Sequence, residues 1–195
     1  MNALWLILYD LQPDQEEEYL TWFHEVHIPE KLARPGYSWA AHYRADASGT
    51  EGRNRYAALF GGEESSVFYN PSPEQIKPKQ PPDTRAMMGI RAASSMFILA
   101  REWTRGKQGI LPGEECAVKA ECLTIKAFET EAANQSLPAR LVQEDWPKLV
   151  GQTDFKAMHK YLASTGAPRH LSLVESDQEI TADKQVLFSG KRLWP

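Results

Sequence analysis

Two histidines three residues apart are the first feature of this sequence that could carry chemistry. His24 and His27 lie in the stretch FHEVHIPEKL, and a helix would place them one turn apart on roughly the same face. Imidazole, with an unperturbed pKa of about 6.5, suits proton transfer near neutral pH. The alternatives are structural: His27 near a helix end could bond free carbonyl groups, and His24 could be a solvated surface residue. The sequence leaves both interpretations open.

A metal site is a more specific alternative, but the spacing of His24, His27 and Glu30 does not favour it. His24, His27 and Glu30 follow an i, i+3, i+6 pattern, and imidazole with carboxylate suits zinc or iron. Pro29 interrupts the helix here, however, so Glu30 is not expected on the same face as the histidines. The sequence has no second HxxH or ExxH pattern and no GxSxG, HExxH, P-loop or GxGxxG motif. We therefore expect no bound metal and no cofactor.

The elements that position these histidines follow from hydrophobic periodicity. Residues 4–11 are apolar on both faces, which is typical of a strand covered on two sides. A helix is predicted from Asp14 to about His27, because the residue before a proline is disfavoured in a helix, and Pro29 can start another short turn through Leu32. Further strands are predicted over residues 37–44, 55–60, 96–103, 121–128, 155–162, 171–175 and 186–188, with a second helix over 139–150 that is interrupted at Pro147.

One segment is dominated by proline. Residues 70–83, NPSPEQIKPKQPPD, contain five prolines and few large apolar residues. This composition excludes a long helix. We expect an exposed, mobile excursion near the mouth of a pocket, where it could act as a lid.

The two halves of the chain repeat a short pattern. Pro29 is followed thirteen residues later by His42, and Pro147 is followed twelve residues later by His159. We interpret this as a degenerate internal duplication, in which the matched histidines suit a structural role or a pair of symmetric contacts. The interpretation divides the chain into a first unit, a linker and a second unit, over residues 1–104, 105–115 and 116–195.

The duplication supplies a control on the two helical histidines. Counted from the proline, the counterparts of His24 and His27 in the second unit are Val142 and Asp145. The fold therefore does not require histidine at either place, which favours a task confined to the first unit.

The string YLTWFHEVHIPEKLARPGY, followed by SWAAHYRA, resembles the first helix and second strand of the dimeric α/β-barrel superfamily, particularly its EthD-like members. The resemblance implies an α+β fold in which two ferredoxin-like units pack their antiparallel sheets as an α/β barrel, here within one chain. It also implies activities such as those of cofactor-independent monooxygenases, cyclases and lactone isomerases, in which a histidine moves a proton in an apolar pocket. One fold hosts many unrelated activities, so the resemblance favours the fold more than the reaction.

The strand faces suggest which side chains would line such a pocket. The leucines of residues 4–8 form the expected helix-packing side of the first strand, which leaves Trp5 and Tyr9 for the barrel side. On the second strand Trp39 and Tyr43 share one face and His42 lies on the other, and the sequence does not say which face lines the barrel. We predict His24, His27 and Tyr43 as catalytic residues, and Trp5, Tyr9, Trp39 and His42 as ligand-binding residues.

Composition and charge limit the partners. The chain is 42% hydrophobic and carries a net charge of −4 without a cationic stripe, so neither nucleic acid nor membrane is an expected partner. Two cysteines without CxxC spacing, and an N-terminus without a basic region or cleavage site, favour the cytoplasm. The predicted function is a small-molecule enzyme acting on a hydrophobic or aromatic oxygenated substrate by histidine-assisted proton transfer without a cofactor. The alternative is a non-catalytic ligand-binding or accessory protein of the same fold, and either could form a homodimer.

Overall fold

The computed structural model describes residues 2–45, 48–111, 117–129, 136–179 and 185–194. Within these ranges eight antiparallel strands close into one barrel, in the order β1-β3-β2-β9-β6-β8-β7-β4, and β4 pairs again with β1. A short ninth strand, β5, forms a hairpin with the end of β4. The strands are β1 Ala3–Leu11, β2 Tyr37–Ala45, β3 Asn54–Gly62, β4 Ala92–Gly106, β5 Gly109–Ile110, β6 Cys122–Phe128, β7 Phe155–Thr165, β8 His170–Ser176 and β9 Val186–Trp194.

The same strand order occurs in both halves of the chain. In the N-terminal half, residues 2–111, the order is β4-β1-β3-β2, and in the C-terminal half, residues 117–194, it is β9-β6-β8-β7. The halves join where β2 pairs with β9 and where β4 pairs with β7. The predicted α+β barrel of two ferredoxin-like sheets is therefore confirmed, whereas an origin by duplication stays a prediction.

Short helices cover the outside of the barrel. They are α1 Glu16–Trp22, α2 Ile28–Leu32, α3 Pro73–Ile76, α4 Pro82–Gly89, α5 Ser136–Arg140 and α6 Trp146–Val150. No helix within the described ranges is long and apolar enough to cross a membrane. Of the two cysteines, Cys122 is buried and Cys116 lies outside the described residues.

The first helix does not end at His27 as predicted but continues through a π turn. This turn, Phe23–His27, joins α1 to α2, and the Ile28 N–H bonds the Phe23 carbonyl five residues back. Pro29 explains the turn, because its ring would clash with the carbonyl four residues earlier in a regular α-helix. A second π turn, Leu141–Asp145, stands at the equivalent place before α6.

The barrel wall separates an apolar interior from an apolar layer under the helices, and the two differ in composition. Its interior holds the leucines of β1 at positions 4, 6 and 8 together with Tyr43, and Trp39 packs against them. The opposite face of β1, with Trp5 and Tyr9, packs under the helices. The expected orientation of β1 is therefore wrong: the leucines fill the barrel and the aromatic side chains lie on the helix side. An eight-stranded barrel interior is only wide enough for side chains to fill it, which suits the leucines.

The matched histidines do not occupy equivalent places. β2 and β7 begin eight residues after Pro29 and Pro147 respectively, so the structural counterpart of His42 is Lys160. The one-residue difference turns His159 to the opposite face. Its imidazole lies inside the barrel, with Nε2 2.7 Å from Glu175 Oε1 and Nδ1 2.9 Å from Thr104 Oγ1, whereas His42 faces the helix layer.

The proline-rich excursion contains more regular structure than predicted. Ser72 caps α3 by accepting a hydrogen bond from the Gln75 N–H, and Pro73 occupies the first helical position, where proline is tolerated. None of residues 70–83 is buried, so the predicted exposure is confirmed. Mobility of the excursion stays a prediction.

Candidate active site

A pocket of about 520 Å³ lies between the helix-facing side of the sheet, the α2 segment and the proline-rich excursion. Trp5 and Ile7 of β1, His27 and Lys31 of the helical segment, and Arg91 before β4 line it, and residues 73–80 contribute one side. All of its lining residues belong to the N-terminal half, and two of them, Trp5 and His27, are predicted site residues.

Three residues that line this pocket each carry a buried polar atom without a hydrogen-bond partner among the described residues. The atoms are Trp5 Nε1, His27 Nδ1 and Arg91 Nη2. An unsatisfied buried polar group costs about 1–3 kcal/mol. Because the three residues line one pocket, a polar ligand that displaces the side chains covering these atoms would supply the missing partners there.

Lys31 is the most perturbed cation of the pocket. It is only 3% exposed, its Nζ lies 4.9 Å from the centre of the Trp5 ring, and no hydrogen bond or ion pair to it occurs among the described residues. Burial, with smaller contributions from the cations Arg34 and Arg91, lowers the pKa of Lys31 from 10.5 to about 7. Its amine can therefore take up or release a proton near neutral pH.

His27, by contrast, is a poor base in this environment. Burial, followed by the positive charges of Lys31, Arg91 and Arg34, lowers its pKa to about 2. The ring is held against Phe23, with centroids 5.4 Å apart. His27 is therefore a neutral hydrogen-bonding group at the pocket wall.

Arg91 is fixed by aromatic rings while part of its guanidinium stays unpaired. Its guanidinium carbon lies 4.5 Å from the centre of the Tyr9 ring, and Nε donates a hydrogen bond of 2.5 Å to the Tyr19 hydroxyl. Nη2 is buried and has no hydrogen-bond partner within the described part of the chain. Because Arg91 lines the pocket, its guanidinium places a fixed positive charge there that suits an anionic oxygen.

A second polar arrangement links three of the predicted residues in a chain. The Tyr9 hydroxyl lies 2.7 Å from His42 Nε2, and His42 Nδ1 lies 2.9 Å from His24 Nε2. Tyr9 and His42 are fully buried and His24 is half-buried. Burial raises the pKa of Tyr9 and lowers the pKa of both histidines, so all three are neutral at pH 7. Such a chain can pass a proton between the buried tyrosine and the surface by exchanging the donor and acceptor roles of its rings.

The two helical histidines do not act together as their spacing predicted. A π turn bonds residue i to residue i+5 and holds more residues per turn than an α-helix, so three residues fall further short of a full turn. His24 therefore reaches His42, whereas His27 lines the pocket with Lys31.

The structure places the two remaining predicted residues on the other side of the sheet. Tyr43 lies in the barrel interior, where its hydroxyl donates to the Ala120 carbonyl at 2.8 Å. Trp39 also packs against the barrel core. The predicted grouping of Tyr43 and Trp39 with the helical histidines is therefore wrong, because β2 turns these side chains away from the helix layer.

Lys31 and Arg91 are site residues that the sequence prediction missed. Lys31 follows His27 by four residues, the spacing that places two side chains on one face of a continuous helix, but the predicted interruption at Pro29 hid this relation. Arg91 lies before the predicted fourth strand, and no local pattern connects it to β1. Among the described residues, no group of three or more His, Cys, Asp or Glu side chains could hold a metal ion. The absence of a cofactor stays a prediction.

The barrel and its helix-side pocket define the class of fold to which this chain conforms: the dimeric α/β barrel, here closed by one chain. Neither known protein-family profiles nor curated proteins match the sequence. Similar solved structures include an anthrone oxidase-like protein, with a TM-score of 0.61 and 11% sequence identity over 91% of this chain and 73% of that one.

Two further solved structures, each named "putative monooxygenase", share the fold. The protein from Fusobacterium nucleatum subsp. nucleatum ATCC 25586 has a TM-score of 0.57 and 9% identity, over 99% of this chain and 97% of that one. The protein from Lactobacillus acidophilus NCFM has a TM-score of 0.52 and 12% identity, over 91% and 78%. At these identities the similarity shows the fold alone.

Proposed function

We propose that this chain is an enzyme that acts on a small oxygenated aromatic molecule by proton transfer, without a cofactor, in the pocket of Trp5, Lys31 and Arg91. The observation that carries the proposal is the buried, unpaired Lys31 amine, whose pKa lies at about 7, beside three unsatisfied polar atoms. A base works best when its pKa is near the working pH. Apolar side chains, here Trp5, Ile7 and Met96, together with a few positioned polar groups are typical of a small-molecule site.

In this proposal the neutral Lys31 amine removes a proton from an acidic C–H or O–H of the substrate. Arg91 and Trp5, whose buried Nη2 and Nε1 have no partner among the described residues, stabilise the oxygen on which negative charge develops. His27, predicted from the sequence as a catalytic residue, has here only the role of a neutral hydrogen-bonding group, and Lys31 takes the place of the predicted histidine base.

The deprotonated substrate would next react with dioxygen. This reaction is proposed first because similar solved structures are named monooxygenase and anthrone oxidase-like. In that reaction a methylene group becomes a carbonyl. The substrate loses two hydrogens, one oxygen atom enters the product, and the other leaves as water. Cyclisation and isomerisation begin with the same proton abstraction and are tested by the same variants.

Oxygen uptake with anthrone is the direct experiment. The wild-type chain should consume dioxygen faster than the uncatalysed background, and Lys31→Met should lose at least about a hundredfold of this activity, since general bases contribute about 10²–10⁴-fold. Lys148→Met, at an exposed position of α6, is the matched control and should retain full activity. Binding of anthrone without oxygen uptake would refute oxidation of this compound and favour the non-catalytic ligand-binding alternative.

We also propose that the chain belongs to the EthD-like branch and arose by tandem duplication. Membership of the EthD-like branch is supported by the FHEVHIP motif, and origin by tandem duplication by the repeated strand order and the paired π turns. A homodimer, a cytoplasmic location and the absence of nucleic-acid or membrane partners stay predictions.

A further inference from the structure

We infer that Lys31 is also a nucleophile, which forms a reversible imine with an aromatic aldehyde or ketone that carries an ionised hydroxyl group. The inference rests on the proposed function, because it names a substrate class for the same pocket. It adds covalent chemistry that proton transfer does not require.

The surroundings of Lys31 meet the first requirement of imine formation, which is a neutral amine with no competing partner. Its Nζ lies beside the Trp5 ring in a pocket of about 520 Å³, and no carboxylate pairs with it among the described residues. Desolvation and neighbouring cations are the two means by which proteins activate lysine as a nucleophile, and both lower the pKa of Lys31 to about 7.

A second buried lysine provides an internal comparison. Lys160 is 0% exposed, but its Nζ donates to Glu102 Oε2 at 2.6 Å and to the Tyr161 carbonyl at 2.7 Å. Burial lowers the pKa of Lys160 as well, but the Glu102 carboxylate opposes this shift, and its hydrogen bond occupies the amine. Burial alone therefore does not mark a reactive lysine, whereas burial without a partner distinguishes Lys31.

The charges of the pocket select the substrate. Its lining includes the cations Lys77, Arg85 and Arg91, against one carboxylate, Glu74. An ionised ring hydroxyl would pair with the guanidinium of Arg91 while the ring packs on Trp5. The pocket thus favours a hydroxyaryl carbonyl compound over an uncharged one.

The covalent step balances without an oxidant or reductant. The Lys31 nitrogen attacks the carbonyl carbon, and the electron pair of the C=O π bond moves to oxygen. The resulting carbinolamine loses this oxygen with two protons, both originally on the amine, as one water molecule. A C=N bond remains, and hydrolysis regenerates the free lysine.

Reductive trapping tests the inference. The full chain is incubated with para-hydroxybenzaldehyde and sodium cyanoborohydride near neutral pH, and peptide mass spectrometry locates the hydroxybenzyl group. Lys31 should be labelled at least about tenfold faster than any other lysine, because a far larger fraction of its amine is neutral. Its labelling rate should rise with pH up to about 7 and then level off. Benzaldehyde without the hydroxyl group should label it more slowly.

Three controls make the result decisive. Lys31→Met should lose the adduct and Lys148→Met should keep it, while the peptide map of the wild-type chain gives the answer even if a variant fails to fold. Labelling spread evenly over surface lysines, or an unlabelled Lys31, would overturn the inference. If the wild-type chain oxidises anthrone while Lys31 remains unlabelled, the imine is refuted and the proposed function stands. If the wild-type chain neither oxidises nor binds anthrone, the proposed function is refuted.

Discussion

Replacing Lys31 with methionine should stabilise the protein at neutral and acidic pH. The folded state holds the lysine pKa at about 7, and the ordinary value is 10.5. Between these two values the unfolded chain binds a proton that the folded chain releases, so the free energy of unfolding rises with pH across this window. The difference corresponds to at most about 5 kcal/mol. Below about pH 7 the folded state carries the full cost of a buried, unpaired ammonium, and methionine of similar length removes it.

Urea unfolding of wild type and Lys31→Met at a series of pH values measures this cost. The variant should be the more stable at about pH 6.5, by about 1–5 kcal/mol, and its advantage should fall steadily as the pH approaches 10.5. Comparing the two proteins at each pH cancels groups common to both, including the buried tyrosines. Lys148→Met, exposed on α6, should change stability by less than about 0.5 kcal/mol at every pH. A stability difference for Lys31→Met that does not vary with pH would refute the argument that its amine is desolvated in the folded state.

Three further predictions concern other groups. Arg91→Leu should weaken binding of an anionic aromatic ligand about tenfold to a hundredfold in calorimetry, since a hydrogen bond to a charged group contributes about 1.5–3 kcal/mol; unchanged affinity would exclude Arg91 from the site. His24→Ala should lower turnover while changing the free energy of unfolding by no more than about 1 kcal/mol, because the side chain is half-buried; unfolding without a separate effect on turnover would make it a structural residue. Burial opposes ionisation of Glu175, but hydrogen bonds from His159 and two backbone amides outweigh it and lower its pKa. The ionised carboxylate therefore stabilises the fold above its ordinary pKa of 4.5 and loses this effect at lower pH, so Glu175→Gln should cost about 2–4 kcal/mol near neutral pH and less in acid. A pH-independent cost in urea unfolding would contradict this assignment.

Much of the fold could be predicted because each strand is a short apolar or alternating run between turn residues. Residues 4–11 are apolar on both faces, and the structure buries all nine residues of β1. The orientation could not be predicted for the same reason: when both faces are buried, alternation no longer separates inside from outside. Which set of β1 side chains points into the barrel depends on the space that the eight closed strands leave inside it. This space cannot be predicted from the sequence of one strand.

The site was less predictable than the fold. The π turn adds one residue to the helix, and the prediction from the sequence assumed regular α-helical spacing across Phe23–His27, so it placed His24 and His27 on one face. Lys31 reads as a solvated side chain in the sequence, because lysine is almost never fully buried. Its burial is produced by Trp5 and Arg91, which are distant along the chain and meet it only through the sheet.

The C-terminal half shows how the same fold is built without this pocket chemistry. Counted from the second proline, Leu149 of α6 stands in place of Lys31, and it packs in the apolar layer beside Trp146. The Trp146 indole N–H donates a hydrogen bond to the Gly106 carbonyl at 3.3 Å, whereas the indole N–H of Trp5 has no hydrogen-bond partner among the described residues. A leucine therefore satisfies the packing demands of this helix. Since the fold does not need a lysine there, and a buried unpaired ammonium opposes folding, the presence of Lys31 is best explained by what its amine does in the pocket.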